Sequence, residues 1–190
     1  MPYMVKEEFK KEVKGLDNYI ALVVVNAKNY QKTNIELVRY LVKDNNMPGV
    51  YVSLNKPFDV MERLLKKGGI DTRLIIFIDA VTKTVGGKTE KTTNCLFIGS
   101  PDKLSDISVA MDQAVRALPE KKFVFFDSLN TLTLFNKPGT VARFIHFLTS
   151  KMRVWKIKGV IISLEKESDE SLLNELTPFC DVRLDVIGGR

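Results

Sequence analysis

Histidine occurs once in the 190 residues, as His146, and cysteine twice, as Cys95 and Cys180. One imidazole and two thiols cannot assemble a disulfide framework or a zinc-type centre, so a reducing compartment is expected. Proline (7) and glycine (11) are too sparse for a low-complexity chain. Long hydrophobic runs are missing as well: the longest uncharged apolar stretch, 19–27, is less than half of the ~20 residues that cross a bilayer. The opening residues, MPYMVKEEFKKEVKGL, scatter Glu7, Glu8 and Glu12 among lysines and hold no apolar signal core. No membrane contact and no export are expected, hence a cytoplasmic protein.

What is present reads as globular. Hydrophobic residues at 45% and charged residues at 27% leave no room for disorder, and the length predicts a single domain over 1–190, with an N-terminal helix in 1–17 and a core in 18–190. The net charge is +6. The basic residues are dispersed, with one local concentration at Lys151, Arg153, Lys156 and Lys158 that reads as a solvated face. Nucleic acid is therefore not an expected partner.

Short runs rich in Val, Ile and Phe, at 19–26, 50–54, 74–79, 94–98, 123–127, 159–164 and 182–187, alternate with stretches of helical period. That alternation predicts βαβ units, and runs that are apolar throughout predict strands buried on both faces of a mainly parallel sheet. The runs at 19–26 and 123–127 are expected to be central and adjacent. Helical stripes follow Ile35, Val38 and Leu41; Val60, Met61 and Leu64, opened by Pro57 and stopped by Gly68 and Gly69; Ile107, Met111 and Val115; and Val141, Phe144 and Ile145. Leu172, Leu173 and Leu176 give a short last helix. Ahead of these, Val5, Phe9, Val13 and Leu16 mark an amphipathic helix whose apolar face needs a cover, on the domain or on a partner. The polar stretch 82–93, TKTVGGKTEKTT, reads as a mobile loop.

In a parallel α/β sheet, ligands gather at the carboxyl ends of the strands. After the first run stands NAKNYQKT, 26–33. Lys32 and Thr33 fill the last two positions of the phosphate-loop pattern G-x-x-x-x-G-K-[ST], but Asn26 and Gln31 replace both glycines. A side chain there costs ~1–2 kcal/mol in a left-handed conformation and occupies phosphate space. The competing reading is a capping box between Thr33 and Glu36, with the helix beginning after Lys32. A second match, Gly86, Gly87, Lys88 and Thr89 with Thr82 at the first glycine position, is followed by loop and strand, not by the helix an anion would need. Phe123 to Phe126 lead into Asp127 and Ser128, an acid at a strand end that suits Mg²⁺ or its water and equally suits a turn cap. His146 falls off its helix's apolar stripe, which makes it a surface residue. Glu165, Lys166 and Glu167 follow a strand and read as a solvated loop, and burial makes Cys95 and Cys180 poor nucleophiles.

The segments VYVSLNKP (50–57), GGID (68–71), LIIFIDA (74–80), FFDSLNTL (125–132), KGVIISLE (158–165) and CDVRLDV (180–186) resemble the RecA-fold core of KaiC-like ATPases. The likeness runs from about Tyr19 to the end of the chain. It implies a three-layer α/β, RecA-like domain of the P-loop NTPase type. It also implies Lys32 and Thr33 as phosphate and magnesium residues, Asp127 as the Walker B acid, and Gln31 and Ser128 beside them. Where KaiC-like enzymes carry glutamates at the end of the second strand, this chain has Asn55 and Lys56, so the carboxylate that would orient the attacking water is missing. With SPDKLSDISVAMDQAV (100–115) and ARFIHFLTSKMR (142–153), the chain resembles most the degenerate, archaeal-type members of that group. The expectation is a regulatory or protein-interaction module, oligomeric or bound to a protein partner, that requires no cofactor and does not hydrolyse ATP efficiently. The alternative is an Mg-ATP-binding enzyme or switch that uses Lys32, Thr33 and Asp127.

Overall fold

The computed structural model describes residues 5–165 and 170–186. Seven parallel strands form one sheet in the order β4-β3-β2-β5-β6-β1-β7. They are β1 (Tyr19–Val25), β2 (Gly49–Ser53), β3 (Ile75–Asp79), β4 (Cys95–Phe97), β5 (Phe123–Asp127), β6 (Lys158–Leu164) and β7 (Val182–Val186). Every residue of β1, β2 and β5 is buried, as their unbroken apolar character requires of strands covered on both faces. Alternate residues divide between two cores. Leu22, Val52, Phe126 and Ile161 pack against helices α4 (Leu104–Arg116), α5 (Leu129–Phe135), α6 (Pro138–Val154) and α7 (Glu170–Leu176). Val23, Tyr51, Phe125 and Ile162 pack against α1 (Val5–Glu12), α2 (Tyr30–Arg39) and α3 (Phe58–Lys67). The result is the expected three-layer α/β arrangement.

Two expectations change, and one left open is decided. Strands β1 and β5 are both internal but not adjacent, because β6 lies between them and pairs with each. The connection through α5 and α6 brings the chain back beside β5 before β1 is reached, so residues at the ends of β1 and β5 must reach across the end of β6 to meet. The capping box does not form: α2 starts at Tyr30, ahead of Lys32, with Thr33 fully buried inside it and Asn29 at its N-cap. The apolar face of α1 is covered by the chain itself. Phe9 is 0% exposed, edge-on to Tyr19 and Tyr40 at 5.8 and 6.0 Å, and Lys6 pairs with Asp44, the last residue of a π turn at Tyr40–Asp44. Among the described residues, no helix is long and apolar enough to cross a membrane.

Candidate functional site

The helices that follow β1 and β2 pack on one face of the sheet, and those that follow β4, β5 and β6 on the other. The carboxyl ends of β1 and β5 therefore flank a switch in the direction of winding, where α/β sheets open a crevice. Asp127 ends β5 there, 0% exposed. Its Oδ2 accepts the Tyr51 hydroxyl at 2.5 Å. Its Oδ1 accepts the Tyr30 hydroxyl and, at 3.2 Å, the Asn55 amide nitrogen. That nitrogen also faces Tyr30 Oη at 2.9 Å and Ser128 Oγ at 3.0 Å. Thr131 donates to Asn55 Oδ1 and lies 3.1 Å from Ser128 Oγ, which closes the network on the α5 side. The peptide joining Asp127 to Ser128 is cis.

Each donor is placed by its element. Tyr51 sits inside β2, stacked on Phe125 of the paired β5 at 5.1 Å, so its hydroxyl runs along the sheet toward the strand ends. Tyr30 opens α2 and carries Lys56 Nζ over its ring at 5.2 Å. Burial pushes the Asp127 carboxyl above its ordinary range, while the hydrogen bonds from Tyr30 and Tyr51 and the charge of Lys56 pull it back. Burial and the Asp127 charge push the hydroxyls of Tyr30 and Tyr51 upward, which keeps both protonated as donors.

Of the residues singled out from the sequence, Asp127 and Ser128 come together in this network, joined by Asn55. Lys32 does not join them: its side chain is 60% exposed and lies 3.8 Å from Glu36, one turn along α2. Gln31 is exposed, and the Thr33 hydroxyl is buried without a hydrogen-bond partner. The link between β1 and α2 is residues 26–29 alone, and the Asn29 N–H is taken by Asn26 through its backbone oxygen (3.1 Å) and its Oδ1 (2.9 Å). Described residues with positive φ lie elsewhere, at Gly15, Asn46, Gly69, Gly86 and Lys156, so 26–29 lacks the left-handed turn of an anion nest. Gly86 and Gly87 form a turn with no helix behind it, as expected. His146 is exposed, at 4.4 Å from the Phe179 ring. Cys95 is buried, and burial pushes its thiol up; burial likewise pushes the thiol of the half-buried Cys180 up, to about 11. Glu165 is half-buried, and Lys166 and Glu167 lie outside the described residues.

Sequence reasoning passed over Tyr30 and Tyr51, whose only signal was a tyrosine in a run of aliphatics and another at a helix start. It also passed over Asp79, the buried acid that ends β3. Asp79 accepts the Phe58 N–H at the start of α3 (2.8 Å) and the N–H groups of Val81 and Thr82 (2.7 and 2.8 Å), which makes it the turn cap that was one of the two readings of Asp127.

A model for a family of unknown function, DUF7504, matches residues 31–186. The chain belongs to that family. The matched DUF7504 span holds Tyr51, Asn55 and Asp127 and begins one residue after Tyr30. In fold, this DUF7504 chain is similar to the KaiC-like protein PH0186 of the hyperthermophilic archaeon Pyrococcus horikoshii. The TM-score is 0.65 at 13% identity, covering 90% of this chain and 74% of that one. It is also similar to the uncharacterized protein PH0321 of the same organism, which was solved in complex with an unknown peptide. There the TM-score is 0.69 at 13% identity, covering 94% and 82%. No curated protein matches the chain. At this identity the likeness is one of fold, and the fold is the KaiC-like, RecA-type three-layer domain.

Proposed function

We propose that this DUF7504 chain is a KaiC-like domain that has given up efficient ATP hydrolysis and works as a regulatory, protein-binding module. The observation that carries this is the state of Asp127. A Walker B acid must present a carboxylate to Mg²⁺ or its water, whereas both oxygens of Asp127 are filled by Tyr30, Tyr51 and Asn55 in a fully buried network. Magnesium keeps near-ideal octahedral geometry and parts with its waters reluctantly, so it would have to displace those phenols. The residues present do not fit a magnesium nucleotide in two further respects. Within the 26–29 link the Asn29 N–H is taken by Asn26, and Lys32 faces Glu36. Asn55 supplies an amide where a water-orienting carboxylate would be needed, and losing one such base or donor lowers a rate by ~10²-fold or more. The PH0321 neighbour's bound peptide supports a protein partner for this fold.

The test is an ATPase assay on the purified chain, with Lys32→Ala and Asp127→Asn beside it and ATP binding followed by calorimetry with and without Mg²⁺. Turnover at background and affinity no better than high micromolar are expected, on the order of the losses above. Turnover that vanishes in both variants would establish the alternative, an active site with an unusual loop. The buried, unpartnered Thr33 hydroxyl is the observation that favours that alternative.

A further inference from the structure

The sheet ends at β4, and this edge is built unlike the other. Phe77 donates to Asn94 O (2.7 Å) and Ile98 donates to Asp79 O (2.9 Å), so Asn94 and Ile98 direct their backbone groups at β3. Strand groups alternate with a period of two, so Leu96 faces β3 as well, and Cys95 and Phe97 turn N–H and C=O away from the sheet. The outward carbonyl of Phe97 is met by Lys83 Nζ at 3.0 Å, an exposed and flexible donor. Lysines are a usual guard on open edges, and that guard can be exchanged for a backbone N–H.

A cavity lies on each side of this edge. One, of about 450 Å³, is lined by Phe58, Phe97, Val85, Gly87 and Lys88. The other, of about 240 Å³, is lined by Ile76, Leu96, Gln113, Ala114 and Ala117, against α4. Phe97 faces the first and Leu96 the second, as neighbouring strand residues must. Thr92 borders both cavities, and its hydroxyl oxygen is buried without a hydrogen-bond partner. The other edge, β7, carries an ion-paired surface instead: Arg183 contacts Asp185 and Glu170.

We infer that the β4 edge takes an extended segment of a partner protein as an eighth strand, with alternate apolar side chains entering the two cavities. In this mode of recognition main-chain hydrogen bonds supply affinity and pockets for alternate side chains supply selectivity. The adjoining loop, 82–93, bears Lys83, Lys88 and Lys91 against Glu90, so the fitting segment is apolar at alternate positions and acidic at its flanks. This inference rests on the protein-binding reading above and names its surface.

The probe is a set of synthetic nine-residue peptides with Val, Ile, Leu or Phe at alternate positions between Asp flanks, titrated into the full chain. Micromolar binding is expected, with amide hydrogen exchange at Cys95 and Phe97 slowed by ~10-fold or more. N-methylation of the peptide on its sheet-facing amides should abolish binding, and N-methylation on the opposite edge should spare it. Lys88→Glu and Val85→Asp, both at exposed positions beside the first cavity, should each weaken binding by ~10-fold. No binding by any of the peptides at ~1 mM, a level that would register even very weak association, overturns the inference, as does equal binding of the two N-methylated forms. Binding without protection at Cys95 and Phe97 removes the β4 edge and leaves the protein-binding reading standing. Only ATP turnover in the separate assay removes that reading.

Discussion

Asp127 is a fully buried acid in the crevice, held by two phenols and an amide. Removing one donor from a buried charge costs ~1.5–3 kcal/mol. Tyr51→Phe deletes the 2.5 Å bond and keeps the ring stacked on Phe125, so its denaturation midpoint at neutral pH should fall by an amount in that range. The pH dependence has a definite sign. The folded Asp127 carboxyl titrates above its unfolded value, so between ~3.9 and that higher value the native state binds more protons than the unfolded one. Asp127 therefore costs stability as pH rises through that window. Asp127→Asn keeps an acceptor for one phenol and removes the titration. The variant's stability relative to wild type should climb as pH goes from about 4 toward neutrality, read from urea midpoints at several pH values. A flat difference would mean that burial does not raise this carboxyl. The acid at the strand end was legible in the sequence. Its partners were not, because Tyr30, Tyr51 and Asn55 are distant along the chain and meet only once β2, β5 and the start of α2 are placed side by side.

The elements themselves were largely legible, since all seven apolar runs became strands and a buried parallel strand leaves an unbroken apolar signature. What escaped was α5, whose LNTLTLF has no charged residue to mark an outer face and is only seven residues long. The start of α2 escaped for a related reason. Thr33 and Glu36 stand at capping-box spacing, but Asn26 turns the chain earlier by holding the Asn29 N–H. The covering of α1 could not be read locally, because an amphipathic face looks the same whether a neighbour in the chain or a second molecule meets it. With Phe9 wedged between Tyr19 and Tyr40, α1 belongs to the core. Phe9→Ala should cost ~3–5 kcal/mol, as truncation of a fully buried phenylalanine does. Chemical denaturation should show that loss in one transition with the rest of the fold. A variant that loses α1 helicity while keeping an unchanged main transition would make α1 an appendage.

Across the whole molecule, the +6 charge gathers most visibly where Lys121, Lys122, Lys156 and Lys158 line one cavity of about 540 Å³, with Asp17 and Glu120 among them. Each member of the basic concentration at 151–158 with a described interaction is committed within the chain. Lys151 bridges to Asp112 at 3.3 Å and lies over the Phe147 and Trp155 rings at 5.7 Å. Arg153 reaches Asp181 at 3.2 Å and the Phe179 carbonyl at 3.0 Å, and Lys158 lies over Tyr19 at 5.6 Å. Phosphate contacts set the affinity of non-specific nucleic-acid binding and its salt slope, with about one released counterion per neutralised phosphate. A surface whose cations already face carboxylates and rings can neutralise few phosphates. Binding to a labelled duplex or single strand, followed by anisotropy, should therefore be undetectable at physiological salt. Any binding at low salt should show a shallow slope, equivalent to ~2–3 phosphates. Tight binding at physiological salt that is lost in Lys151→Glu would reverse this, because it would mean that the Asp112 pairing yields to phosphate and that the α4–α6 face is a nucleic-acid surface.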